Sequence, residues 1–146
     1  MHSPYAFRIV TEVFKDSGAY YAYPQLERAA REAGDDPRRI KLLFRLMCEF
    51  APTHLHISDP LNDAELTAIR AADSRTIITH GEAPVSYSHS MPSQMPPCGS
   101  VAIISRPDPA ALEALTAGRT CGMVFKHRFF TVIVMRPDLP PQTFEI

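Results

Sequence analysis

The chain has 146 residues, 45% of them hydrophobic, which suits one domain with a real core and excludes two comfortable ones. Fifteen Lys and Arg stand against sixteen Asp and Glu, for a formal charge of -1 with no basic block, so nucleic acid is not an expected partner. Cys48, Cys98 and Cys121 are odd in number and form no C-x-x-C, no apolar run approaches a bilayer span, and the N-terminus lacks a signal-peptide layout; a cytoplasmic protein without membrane association is expected.

In chain order, Ser3-Pro4 is a helix start, because Ser caps an early N–H and Pro has none to leave unpaired. Tyr5, Ile9, Val10, Val13 and Phe14 recur at helical spacing until Asp16-Ser17-Gly18. Tyr20-Tyr21-Ala22-Tyr23 is an aromatic cluster, read either as an amphipathic plug over the core or as a lid over a ligand. A helix from Gln25 to Ala33 closes at Gly34, completing an N-terminal helical segment over residues 1–34. Asp36-Pro37 opens the next helix, where Ile40, Leu43, Phe44 and Met47 form one stripe that Pro52 stops.

His54 to Ser58 alternates, predicting a first strand with Leu55 and Ile57 on one face and His54 and His56 on the other. Asn62 and Glu65 have capping-box spacing for a short helix, and Arg75 to Thr79 reads as strand two. From His80 to Gly99 the sequence reads as a proline-rich loop, with Met91 and Met95 either an adaptable contact surface or uncommitted loop residues. Val101 to Ile104 is a buried strand, Asp108-Pro109 starts a helix that Gly118 closes, Gly122–Lys126 and Phe129–Met135 pair as an antiparallel hairpin, and Thr143–Ile146 forms an edge strand. The expected architecture is α/β: a single domain over 1–146, with N-terminal helices beside a mostly parallel sheet and strand one at its centre.

Two further readings concern chemistry. His54 and His56 could share a metal with Asp59, His80 or Glu82, or simply be polar residues on a covered or solvated face. No G-x-S-x-G elbow presents a serine nucleophile, so a hydrolase is not expected.

His2-Ser3-Pro4 with Phe7, Val13 to Asp16, Tyr20 to Tyr23, Lys41 to Arg45, the terminal hairpin and Phe144-Glu145-Ile146 resemble the bacterial class I S-adenosylmethionine-dependent methyltransferases. The resemblance implies a reduced Rossmann-like methyltransferase fold and candidate cofactor-binding residues at Ser58, Asp59, Glu82, Tyr20, Tyr21 and Tyr23. The middle of the chain departs from the pattern. The turn after strand one, where backbone must approach the cofactor closely, has no glycine, and none occurs between Gly34 and Gly81. Glu82 lies one position late for the acid that accepts ribose hydroxyls. The implied function is a degenerate, non-catalytic methyltransferase-like protein with a binding or assembly role, in which S-adenosylmethionine binding is weak or lost. The alternative is a reduced but active methyltransferase. A homodimer or protein partner is expected to cover sheet surface exposed by the shortening.

Overall fold

The structure is a computed structural model that describes residues 3–146. His2, in the first block of the resemblance, lies outside the described residues. The chain divides into two compact units, one formed by the residues up to Thr53 with Pro60–Ile77, the other by His54–Asp59 with Ile78–Ile146.

The first unit is helical. Ser3 caps α1 (Pro4–Ile9) by accepting from the Ala6 N–H, and the chain then widens into a π-helical turn at Val10–Phe14, where the Lys15 N–H reaches Val10 O. Arg45 satisfies two carbonyls at the end of that turn: Nε donates to Val13 O at 2.6 Å and Nη2 to Phe14 O at 3.2 Å. Helix α2 (Tyr23–Ala33) ends on Gly34 in the left-handed region, and α3 (Pro37–Phe50) starts at the Asp36 cap and ends before Pro52. Helix α4 (Asp63–Ala72) carries the expected capping box, with Asn62 Oδ1 accepting from the Glu65 N–H and Glu65 Oε1 from the Asn62 N–H. Glu65 also receives Arg39 Nη2 at 3.1 Å, while Arg39 Nη1 reaches Asp35 at 2.8 Å and Asn62 Nδ2 donates to the same carboxylate. Four residues from three helix ends are thus tied by charge-assisted bonds.

The second unit carries a seven-stranded sheet: β1 (His54–Ile57), β2 (Ile77–Thr79), β3 (Val85–Ser88), β4 (Val101–Ser105), β5 (Met123–Lys126), β6 (Phe130–Val134) and β7 (Gln142–Glu145), in the order β2-β1-β3-β4-β6-β5-β7. Strand pairs β1–β3, β3–β4 and β5–β7 are parallel, whereas β6 runs antiparallel to both β4 and β5. The sheet is therefore mixed; the mostly parallel expectation holds for its first half and the hairpin expectation for its second. Two expectations need correction. Strand one is second from an edge and β4 is central, because β3 inserts between them. The stretch 80–99 is not one loop: Val85 and Tyr87 are buried, Ser86 and Ser88 alternate with them, and these four residues form β3.

Register sorts the sheet into two faces. One carries Leu55, Val85, Tyr87, Ile103, Val132 and Phe125, all buried. The other carries His56, Ser86, Ala102, Ile133 and Val124 in one row, with Ser88 and Ile104 in the next. On its apolar half, Ala102, Ile104, Val124, Ile133 and Met135 form a cluster with Leu112 of α5 (Pro109–Thr116), and Met91, Met95 and Leu115 pack against it. The two methionines are thus half-buried cover for the sheet, filling an irregular surface as unbranched thioethers do.

Candidate functional site

The polar half of that second face is where the unit opens. In a sheet with parallel strands, ligands sit beyond the carboxyl ends of the strands, here the turns after Ile57 and Ser88. A groove of about 1060 Å³ lies there, with His56, Ser86 and Ser88 on the sheet and Met91 and Met95 among the residues of the covering segment. Its polarity follows from sequence. Positions that would carry aliphatic side chains in a doubly covered strand are serines in β3, and the prolines that follow keep the chain from adding another strand.

Asp59 holds two of the groove's lining residues, Ser58 and Ser90. Its carboxylate accepts the His89 N–H at 2.7 Å and the hydroxyls of Ser58 and Ser90 at 3.2 Å, joining the turn after β1 to the turn after β3. The His89 N–H, with help from the two hydroxyls, holds the Asp59 carboxyl below the usual aspartate range. A depressed pKa means that the clasp contributes fully above the ordinary value of about 3.9 and is lost as pH falls below it. Asp59 is only half-buried and solvent screens it, so the effect on global stability is expected to be small and the local effect visible. Hydrogen exchange should speed up at the His89 amide as pH falls through the acid range after correction for intrinsic rates. Asp59→Asn should remove most of that pH dependence, and an unchanged profile in the variant would show that the carboxylate does not hold the turn.

Two imidazoles are similarly committed. His56 Nδ1 lies 2.8 Å from Gly81 O and His80 Nδ1 lies 3.0 Å from Ile57 O. A carbonyl only accepts, so Nδ1 is the protonated nitrogen of each ring. Among the described residues, no group of three or more His, Cys, Asp or Glu is placed to hold a metal. Histidines 54 and 56 share a strand face as expected, and His56 is used to pin the segment between β2 and β3.

Of the residues that the sequence singles out, Ser58 and Glu82 line the groove and Asp59 accepts from the lining residues Ser58 and Ser90, so these three gather in the second unit. The tyrosines belong to the first. Tyr20 and Tyr23 pack with tilted rings, centroids 5.0 Å apart, and meet Phe44 edge-on, while Tyr21 is fully exposed. Tyr20 donates to Asp16, which pushes its phenol up to about 12, and Tyr23 accepts from Arg45 at 3.0 Å. A hollow of about 390 Å³ beside Tyr20 is lined by Asp16, Arg45 and Glu49, which are already bound to Tyr20, to the π-turn carbonyls and to Arg8 respectively. That hollow has its polar groups satisfied from within.

No family model, curated protein or solved structure matches this chain. The residues present do not fit S-adenosylmethionine. Its carboxylate needs N–H donors or a cation, and among the described residues lining the groove none is Lys or Arg. Its ribose needs an available carboxylate; Asp59 is spent on His89 and Ser90, leaving Glu82, which is exposed. The turn after β1 reads Ser58-Asp59-Pro60, and Pro60 supplies no N–H. Sequence reasoning missed the serines of β3 and their neighbour Ser90, although the alternation of Val85 and Tyr87 with Ser86 and Ser88 was a usable strand signal.

Among the described residues, no helix is long and apolar enough to cross a membrane.

Proposed function

We propose that this chain is a methyltransferase-like domain that has lost methyl transfer and serves as a binding module through the groove of its sheet unit. The observation that carries this reading is the Asp59 clasp, which uses the acid after strand one to fasten two protein turns together. A side chain committed in this way is a scaffold element, and scaffolds persist where cofactor geometry is lost because core packing tolerates substitution better than a site does.

Isothermal titration calorimetry with S-adenosylmethionine tests it, and no saturable heat is the expected result. A micromolar dissociation constant that disappears in Glu82→Ala would overturn the reading in favour of a reduced enzyme with Glu82 on the ribose. Tight binding that survives Glu82→Ala would overturn both the reading and that assignment.

A further inference from the structure

Hydrogen-bond polarity in the groove identifies a ligand class. A serine hydroxyl has one hydrogen to give and lone pairs to receive with. Four serines of the lining have given theirs to the protein: Ser58 and Ser90 to Asp59, Ser88 to Ser90 O at 2.9 Å, and Ser100 to Pro97 O. What they retain is acceptor capacity. His56 and His80 have likewise spent Nδ1–H on carbonyls, so in each neutral ring Nε2 is a bare lone pair. Glu82 is a carboxylate with acceptors only. Prolines 84, 92, 96 and 97 also line the groove and bring no N–H groups, although the Pro84 and Pro97 carbonyls already accept from Val101 and Ser100. The remaining side-chain donors in the lining are neutral: Ser86, Ser93, Gln94 and the Cys98 thiol. No cationic side chain among the described lining residues offsets this excess of lone pairs.

Such a set of side chains disfavours anions and favours a ligand that donates hydrogen bonds. Beside these acceptors, Ala102 and Ile104 continue the same sheet face and Met91 and Met95 pack against it, giving an apolar, polarizable surface.

We infer that the groove binds a small organic ammonium ion, a primary amine on an apolar body, with the ammonium near Glu82 and the body against Met91 and Met95. An ammonium brings three N–H donors and a charge, matching both the lone pairs and the carboxylate. A phosphate or carboxylate ligand would meet the opposite of what it needs. This ligand class rests on the reading of the groove as a binding module.

The test is a two-dimensional NMR titration of the full chain with phenethylamine, beside its neutral isostere phenethyl alcohol and the anion hydrocinnamate. Phenethylamine should shift the amides of Glu82, Ser88 and Met91 saturably, the alcohol should bind more weakly, and hydrocinnamate should leave these amides unmoved. Glu82 is exposed, so Glu82→Gln should fold normally and weaken phenethylamine by about tenfold, the loss expected for one charge-assisted contact. Hydrocinnamate binding as tightly as the amine would overturn the inference. So would an amine affinity unchanged in Glu82→Gln, or no saturable shift with the amine. S-adenosylmethionine is titrated in the same buffer to separate the two readings. Binding and methyl transfer with that compound would defeat the binding-module reading, whereas silence from both compounds would defeat the ammonium assignment alone.

Discussion

Arg39→Ala is expected to lower the free energy of unfolding by about 3 to 5 kcal/mol, the loss typical when one partner of a buried ion pair is removed. The arginine side chain is 7% exposed and the Glu65 side chain 1%, and the two are 3.1 Å apart. Truncation would leave the Glu65 carboxylate buried without its cation, although the Asn62 N–H would still reach it, and would free one bond of Asp35. The cost arises less from the attraction lost than from the charge left behind. Arg39→Met in combination with Glu65→Gln should therefore recover much of the loss, because the glutamine oxygen can still accept the Asn62 N–H and no buried charge remains. Urea denaturation measures both variants. A loss below about 1 kcal/mol for Arg39→Ala would mean that the pair behaves as a solvated surface contact.

That network also shows which parts of the fold could be read in advance. Asn62 and Glu65 announced a capping box by spacing alone, and Ser3-Pro4, Asp36-Pro37 and Asp108-Pro109 announced three more helix starts; all are local signals whose geometry is complete within one turn. Arg39 joining Glu65 across 26 positions has no such signature, since nothing in a sequence says which arginine on a helix turns inward. The same distinction explains β3. Its alternation is legible, yet it has four residues, two of them serine, and prolines on both sides, so its strand character depends on β1 and β4 as neighbours. The groove follows from the same placement. Asp59 and Glu82 were found by their positions after strands, but the partners that define Asp59 as a clasp, His89 and Ser90, lie 30 and 31 residues away. Only the tertiary arrangement shows that Ser58, Ser88, Ser90 and Ser100 of the groove have donated their hydrogens.

Gly122→Ala is expected to cost about 3 kcal/mol or more, the second large effect. Two terms contribute. At φ +93° the backbone lies in a region that an L side chain enters at about 1 to 2 kcal/mol or more. An added Cβ would also stand 2.7 Å from Met135 Sδ and 3.0 Å from Val134 O, and overpacking of this kind costs about 1 to 3 kcal/mol. The sulfur can swing away, but the Val134 carbonyl belongs to the backbone at the end of β6 and yields only if the strand moves. Gly118→Ala isolates the first term, since Gly118 sits at φ +77° with nothing within 4 Å of a Cβ. Thermal and urea unfolding of the two variants should differ by about 1 to 3 kcal/mol in favour of Gly118→Ala. Equal costs would show that the close approach at Gly122 relaxes without penalty. Met135 belongs to the cluster on which Met91 and Met95 rest, so displacement at Gly122 should propagate to the cover of the groove. Faster amide exchange at Met91 and Met95 in Gly122→Ala, with Gly118→Ala unchanged there, would show that the glycine's missing side chain seats the methionine wall.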